Sequence, residues 1–306
     1  MNQSTSSNRY VLPVAPGRAV ACITMVSIAS VVGFLANAHV CFLLRKRSDL
    51  RKVSHYLFGS LAVNGIFNSL LNLPSRLALT VIRLSDIPVS AELACYVLVP
   101  SSFACNILNA VTLSLMAIDR QDCVLRPFKR RMSRNNIPKV IALSWFGTLV
   151  LTSPTIFNSL RQQCDVIPKI KGAADPVLVY VSILSNCFNI VSVVIIVVTA
   201  LRILKRLRSS PLPESKSRHR RQENKLLWLT YKICGFFLVC KLPTSLYFPV
   251  AIFLGKNDST LANILFIALT MSNFHYVVNP FLYHNMLRPA VRRARDIEIK
   301  LVRNAP

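Results

Sequence analysis

The feature that most constrains this chain is the long apolar run that separates Cys95 from Asp119-Arg120. Between Tyr96 and Ile118 the only ionisable side chains belong to one tyrosine and one cysteine. At a rise of about 1.5 Å per residue, a helix over this run matches the hydrocarbon core of a bilayer, which is about 30 Å thick. The run therefore predicts a membrane-spanning helix with Cys95 at one membrane surface and Arg120 at the other.

Apolar runs separated by short polar connections continue along the chain. Of its 306 residues 53% are hydrophobic and 16% are charged, whereas a soluble domain has about a quarter of charged residues. The expected fold is an all-α membrane protein, a seven-transmembrane helix bundle over 19–284. The predicted spans cover about 19–44, 55–82, 92–125, 137–157, 176–204, 225–254 and 260–284.

The distribution of charge orients the bundle. A formal charge of +25 is typical of nucleic-acid-binding proteins, but here the heavily basic segments are the first, third and fifth connections and the C-terminal segment. These four segments lie on one side of a seven-span bundle, which is the positive-inside pattern. We therefore expect a multi-pass plasma-membrane protein with residues 1–18 outside and 285–306 in the cytoplasm. No cleavable signal peptide is expected, because the first run is too long and ends in Arg45-Lys46-Arg47.

The C-terminal segment is predicted to form a short amphipathic cytoplasmic helix 8, with its apolar side chains near one face. On that interpretation it lies on an anionic inner leaflet, and the alternative is a solvated basic tail. The apolar positions are Leu287, Val291, Ala294, Ile297 and Leu301.

Residues typical of one receptor family occur in order along the predicted spans. They are Asn37, Leu61-Ala62, Cys95, Asp119-Arg120, Trp145, Cys164, Phe237, Cys240, Pro243 and Asn279-Pro280-Phe281-Leu282-Tyr283. With this set the chain resembles the rhodopsin-like (class A) G-protein-coupled receptors over nearly its whole length. The resemblance implies an extracellular ligand and a cytoplasmic heterotrimeric G protein as partners.

The resemblance also implies a disulfide between Cys95 and Cys164, which would pin the outer loop to the third span. Two free thiols are the alternative. Asn2 and Asn257 stand in acceptor sequons for N-linked glycans, one at the extreme terminus and one close to the membrane.

Asp119 and Arg120 either anchor the third span at the membrane interface or form part of a switch. The resemblance implies that Glu223, at the inner end of the sixth span, matches the acidic residue of a lock on Arg120. Pairing of Arg120 with both acids would hold the third and sixth spans together, and its loss would free the sixth span to move. The alternative is that Glu223 is a solvated charge in a basic connection.

The seventh span carries a second element of the predicted switch. Asn279-Pro280 interrupts the helical hydrogen bonds and permits a kink, after which Tyr283 could swing at the inner surface. An ordinary proline kink is the alternative.

The chain departs from the family pattern at several positions. Gln121 follows Arg120 where the family usually has an aromatic residue, and Gly65 replaces an aspartate that binds sodium. Lys241 stands at the usual tryptophan, and the fifth span lacks its usual proline and inner tyrosine. We expect no sodium dependence of ligand affinity, since the carboxylate is missing and a lysine nearby would repel a cation.

Lys241 is expected to face the bundle interior, because a lysine near mid-depth costs about 2.5–3.5 kcal/mol on insertion scales. No Asp or Glu occurs at that depth in any span. Lys241 either has lost its proton or bonds only amides and water, with a structural role, or it awaits an anionic ligand. The candidate pocket comprises Arg76, Ser102, Phe103, Asn106, Lys241, Thr244, Phe248 and Asn273.

The sequence bears on three classes of function. The first is a receptor that activates a G protein through movement of the sixth span, with an acidic small molecule as one candidate ligand. A biogenic amine is not expected, since Ser102 stands where amine receptors have an aspartate. The second is a receptor-like protein with constitutive, weak or no signalling, acting through another receptor. A channel or transporter is disfavoured by the lack of ion-path carboxylates and repeated broken helices. No enzymatic activity, cofactor or metal is expected, because no nucleophile–base pair or ligand cluster occurs.

Overall fold

A computed structural model describes residues 16–46, 53–84, 92–126, 130–159, 176–209, 218–254, 267–268 and 271–283. Nearly all of these residues are helical, so the prediction of an all-α fold is confirmed. The helices are named here span 1 to span 7 in chain order. Span 1 is Pro16–Lys46, span 3 is Glu92–Leu125, span 4 is Ile137–Ser159, span 5 is Pro176–Ser209, span 6 is Arg218–Leu254 and span 7 is residues 271–283.

Span 2 is built from three consecutive pieces. An α-helix over Val53–Phe67 leads into a π-helical turn over Asn68–Asn72, and a second α-helix covers Leu73–Leu84. Within the turn the backbone N–H of Leu73 donates to the carbonyl of Asn68, five residues back. Pro74 follows directly and lacks an N–H, so the wider turn falls where an α-helical hydrogen bond is lost in any case.

Five of the described helices are long and apolar enough to cross a membrane. These segments are Ile23–Arg45, Tyr96–Leu125, Ile137–Phe157, Tyr180–Arg206 and Lys225–Ser245. Span 2 is divided by its π-helical turn. Span 7 is described only over the part that leads to Tyr283, toward the end of the bundle that also carries Arg120, and this end is called the inner end here.

Span 3 lies at the centre of the described bundle, since it contacts spans 2, 4, 5 and 6. Its inner half, with Leu113, is part of a hydrophobic core that also includes the fully buried Leu57 of span 2 and Ile233 and Phe237 of span 6. Large apolar side chains on the outward faces remain exposed, as they would be in contact with lipid. Examples are Val31 and Leu35 on span 1 and Leu143 and Phe146 on span 4.

Several predicted features fall outside the described residues. They are residues 1–15 with Asn2, the segment with Cys164, the loop with Asn257, and the C-terminal segment 285–306 with its predicted helix.

Candidate functional site

The inner ends of spans 2 and 3 are joined by three buried polar side chains, Ser54, Asp119 and Arg120, which we call the inner cluster. The Nε of Arg120 donates to Oδ2 of Asp119 at 3.1 Å, and the Ser54 hydroxyl donates to the same oxygen at 2.9 Å. A terminal guanidinium nitrogen of Arg120 also contacts both partners. All three residues are at most 3% exposed. The guanidinium charge is therefore balanced by a carboxylate on the adjacent residue, away from water.

A second carboxylate, Asp122, shapes the connection after span 3. It is 2% exposed and accepts the backbone N–H of Arg131 at 3.1 Å. The Nε of Arg131 lies 4.0 Å from the other carboxylate oxygen, while the Arg131 side chain is about half exposed. Met132 follows and packs into the inner hydrophobic core. Asp122, on span 3, thereby holds the segment that begins at Arg131 against the end of that span.

Tyr283, at the inner end of span 7, is also buried. Its ring lies 4.8 Å from the ring of Phe58 in span 2, measured between centroids. Its hydroxyl has no hydrogen-bond partner among the described residues, and neither does Oδ1 of Asn279, one turn earlier. Tyr283 is thus held by packing rather than by a polar contact.

Midway along the bundle, amide side chains join spans 1, 2, 3 and 7. The Nδ2 of Asn37 donates to the carbonyls of Gly33 at 2.8 Å and Tyr276 at 3.0 Å. The carbonyl of Cys105 accepts from Nδ2 of Asn64 at 3.0 Å and from the hydroxyl of Tyr276 at 2.9 Å. We call this region the polar layer. Its members are Asn37, Asn64, Asn68, Asn72, Asn106, Asn109, Lys241, Asn273, His275 and Tyr276.

Lys241 is the only charged member of the polar layer. It is 5% exposed, its ammonium group contacts Oδ1 of Asn106, and Nζ lies 5.9 Å from the centroid of the Tyr276 ring. Arg76 of span 2 interacts with it electrostatically and has the same sign. The ammonium group thus contacts a neutral amide and lies near an aromatic ring, and Arg76 adds a like charge on span 2.

His275 has a hydrogen-bonding role fixed by its neighbour. Its Nδ1 lies 2.6 Å from the carbonyl oxygen of Ser272, which can only accept, so Nδ1 carries the hydrogen. In the neutral ring Nε2 is then an acceptor, and it has no partner in the described part of the bundle. Both amide atoms of Asn109 and Oδ1 of Asn64 are in the same situation. Buried polar atoms of this kind are normally satisfied by water or by a bound group.

Gly65 lies against Asn37. A Cβ atom at Gly65 would lie 2.6 Å from three atoms of the Asn37 carboxamide, far inside van der Waals contact. The close approach lets Asn37 reach the carbonyl of Tyr276 across the bundle.

The predicted pocket residues lie at several depths. Asn106 and Lys241 are in contact, and Asn273 accepts from Nδ2 of Asn72 at 3.4 Å. The Thr244 hydroxyl donates to the carbonyl of Ala268 at 3.1 Å and so ties span 6 to the chain leading into span 7. Arg76, Ser102 and Phe103 are partly buried on spans 2 and 3.

Other predicted site residues have no described side chain. Cys95 and Glu223 lie on helical backbone at the ends of spans 3 and 6, and Phe248 lies on span 6. Neither the Cys95–Cys164 disulfide nor the Glu223 lock is therefore described by the structure.

Sequence reasoning missed Ser54, Asp122 and the amide residues of span 2. A signal for the last group was present, because Asn64, Asn68 and Asn72 recur at intervals of four residues and share one helix face. All three are buried. In a span expected to be apolar, such a ladder indicates an interior polar contact.

Comparison with known proteins agrees with a seven-helix membrane bundle. The profile of the family "7 transmembrane receptor (rhodopsin family)" covers residues 36–283. The chain belongs to this family. It is 24% identical over 301 residues to the human adenosine receptor A2a, covering 90% of this chain and 71% of that receptor. It is also 24% identical over 272 residues to neuropeptide Y receptor type 2 of Cavia porcellus, covering 82% and 69%.

A shorter match is with the RYamide receptor of Tribolium castaneum, at 26% identity over 174 residues, covering 53% of this chain and 45% of that receptor. The resemblance inferred from the motifs is therefore confirmed. The chain is a multi-pass membrane receptor of the G-protein-coupled class and not an enzyme.

Proposed function

We propose that this receptor resides in the plasma membrane with its N-terminus outside, and passes an extracellular signal to a heterotrimeric G protein by movement of span 6. The observation that carries the proposal is the inner cluster, in which Arg120 is buried and paired with Asp119 and Ser54. A buried arginine at the cytoplasmic end of the central span is a charge that a moving neighbour can uncover.

The inner cluster supports a two-state mechanism. In the closed state Asp119 and Ser54 hold the guanidinium of Arg120 against spans 2 and 3. Glu223 at the inner end of span 6 would add a second acid, and its release would let span 6 move away. A coupling of about 1–3 kcal/mol between the ligand cavity and this end is enough for a graded response. Asn279, Pro280 and Tyr283 would form the corresponding hinge in span 7.

The proposed ligand carries an anionic group. The support is the buried ammonium of Lys241, which faces a neutral amide and an aromatic ring while no carboxylate lies at its depth in the sequence. A carboxylate, sulfate or phosphate of a small molecule entering the bundle would pair with it, and Arg76 would add a second cation. The competing proposal is structural, with Lys241 either deprotonated or bonded only to amides, such as Asn106, and water.

Replacement of Arg120 tests the G-protein proposal. Arg120→Ala should abolish G-protein activation in cells at equal surface expression, while Arg134→Ala removes an exposed inner cation and should leave activation intact. Equal signalling by Arg120→Ala and the parent chain would contradict the proposal. Glu223→Ala should raise basal activity, and an unchanged basal level would remove Glu223 from the switch.

Replacement of Lys241 tests the ligand proposal. Cells expressing the receptor are screened with small carboxylates, sulfates and phosphates, and the response to any agonist should be lost in Lys241→Ala. Lys232→Ala is the matched control, since Lys232 is an exposed lysine on the same span. A full response in a correctly folded Lys241→Ala receptor would favour the structural role.

Departures from the family pattern favour a second candidate function. Gln121, Gly65 and Lys241 depart from the family pattern at positions around the inner cluster and the polar layer. These departures favour a receptor-like protein that signals constitutively, weakly or not at all, and acts by association with another receptor. An absence of any effect of Arg120→Ala on a measurable basal signal would support it.

We further propose a Cys95–Cys164 disulfide over the cavity entrance and an amphipathic helix in 285–306 that lies on an anionic inner leaflet. Glycans on Asn2 and Asn257 remain predictions of the sequence. Mass spectrometry of unreduced peptides should recover Cys95 and Cys164 in one linked species, and recovery of two free thiols would contradict the bond.

A further inference from the structure

The inner end of span 5 carries a stripe of apolar and cationic side chains on one helix face. Leu201, Leu204, Lys205 and Arg208 follow each other at intervals of three, one and three residues, so they share one side of the helix. Leu201 is 60% exposed and Leu204 is 48% exposed, and both cations are exposed. We call these four residues the span 5 stripe.

The span 5 stripe continues the lipid-facing surface of the same helix. Toward the bilayer centre, Val194 and Val197 stand on the same face and are about half exposed. The opposite face is packed against the bundle, where Ile196, Thr199 and Ile203 are at most 4% exposed. The stripe therefore faces outward, where lipid lies, and not the inner mouth of the bundle.

Within the described chain, the span 5 stripe and Ser209 line an open surface depression of about 520 Å³. The Ser209 hydroxyl donates to the carbonyl of Arg206 at 3.2 Å, which orders the last turn. Span 5 contains no Asp or Glu that could neutralise the two cations. The depression is thus apolar toward the bilayer centre, at Leu201 and Leu204, and cationic at the membrane surface, at Lys205 and Arg208.

We propose that the span 5 stripe is a binding site for one anionic phospholipid of the inner leaflet. An acyl chain lies along Leu201 and Leu204, and the phosphate group lies between Lys205 and Arg208. Arginine and lysine are the residues that bind phosphate, and each cation near an anionic leaflet favours the bound state. The site rests on the proposed orientation, because only then does it meet the anionic leaflet.

A lipid suits this surface better than either rival. A free phosphate compound would gain nothing from the two leucines, whose exposed area suits a hydrocarbon chain. A G protein that docks at the inner mouth of the bundle would contact the other face of span 5.

Native mass spectrometry of the full receptor in detergent tests the site, with no G protein or agonist present. The probe is dioctanoyl phosphatidylinositol 4-phosphate, with dioctanoyl phosphatidylcholine and inorganic phosphate in parallel. We expect one retained anionic lipid, about fivefold weaker binding in Lys205→Gln and about 25-fold in Lys205→Gln/Arg208→Gln. Leu201→Ser should also weaken it, which a purely ionic contact would not show.

Lys139→Gln is the matched control, since it removes an exposed cation from the inner end of span 4. An equal loss in this variant would overturn the proposal in favour of unspecific charge attraction. Equal competition by inorganic phosphate, or equal retention of phosphatidylcholine, would overturn it as well. A thermal melt of each variant excludes misfolding. Because binding is measured without signalling, its failure is distinct from failure of the proposed receptor function.

Discussion

The inner cluster and the polar layer each contain a buried cation, but the groups around the two cations differ. Both bury a cation inside a membrane bundle, Arg120 in one and Lys241 in the other. Arg120 is paired with the carboxylate of the adjacent residue, Asp119, and both contact the hydroxyl of Ser54 on span 2. Lys241 has an amide and an aromatic ring.

The difference is that the charge of Arg120 is already neutralised by a carboxylate, whereas the charge of Lys241 is not. A buried ion pair with a further hydrogen bond is a closed arrangement, and it changes only when a helix moves. Burying an ammonium among neutral groups costs free energy, and this cost falls when an anion or water molecules bind to it. The inner cluster therefore suits an output switch, and the polar layer suits an input.

The largest expected effect comes from breaking the ion pair of the inner cluster. Asp119→Ala leaves Arg120 buried without its carboxylate and should lower the free energy of unfolding by about 3–5 kcal/mol. Unfolding in mixed detergent micelles measures the loss. Asp122→Ala is the control and should cost less, because its partner Arg131 is half exposed and can turn to water. Equal losses of unfolding free energy in the two variants would contradict the prediction, because they would show that pairing with a buried arginine makes Asp119 no more important for stability than Asp122.

Removing the cation of the polar layer should act with the opposite sign. Lys241→Met eliminates an ammonium whose placement near mid-depth costs about 2.5–3.5 kcal/mol, so the free energy of unfolding should rise by up to that amount. The same micelle unfolding assay measures it. Lys232→Met, on the exposed side of span 6, should change stability by less than about 0.5 kcal/mol. A strong destabilisation by Lys241→Met would mean that Lys241 has a better partner than Asn106.

A smaller effect is expected from the contact that orders the polar layer. Gly65→Ala places a methyl group 2.6 Å from the Asn37 carboxamide, which must move away from its bonds to Gly33 and Tyr276. We expect a loss of about 1–3 kcal/mol in the free energy of unfolding. Gly147 and Gly235 provide controls, since a Cβ there meets no atom within 4 Å. Alanine at those helical positions should stabilise by about 0.5–1 kcal/mol, and similar values at all three sites would refute the contact.

The smallest expected effect is that of sodium. With Gly65 where the family usually has a carboxylate and the cation Lys241 in the polar layer, the thermal midpoint should be the same in sodium chloride and in choline chloride at equal ionic strength. A shift specific to sodium would show that neutral oxygens of the polar layer suffice to hold the ion despite Lys241.

The fold was predictable because the apolar length of each span is a property of a single segment of the sequence. The pairing of Asp119 with Arg120 was equally accessible, since the two are neighbours in sequence. Lys241 was expected to face the interior because lipid would not accept its charge, and the structure places it there.

Ser54 and the π-helical turn were not predictable in the same way. Whether Ser54 meets Asp119 depends on the rotation of span 2 against span 3, and that rotation is decided by packing between helices. The pairing of Asp122 with Arg131 similarly joins residues nine positions apart, which no helical periodicity brings together. In a membrane span most faces are apolar, so periodicity says little about which polar residues meet.

The π-helical turn over Asn68–Asn72 has a consequence for reading this chain beside its relatives. Such a turn accommodates one more residue than an α-helical turn, so each side chain beyond it points about 100° away from the direction of an uninterrupted helix. Deleting a single residue within the turn would convert it to an ordinary α-helical turn and leave Arg76 on its present side of the helix, whereas a deletion between the turn and Arg76 would rotate Arg76 by about 100°. Alignments that pair the two halves of span 2 without a one-position offset would therefore compare side chains that do not correspond in space.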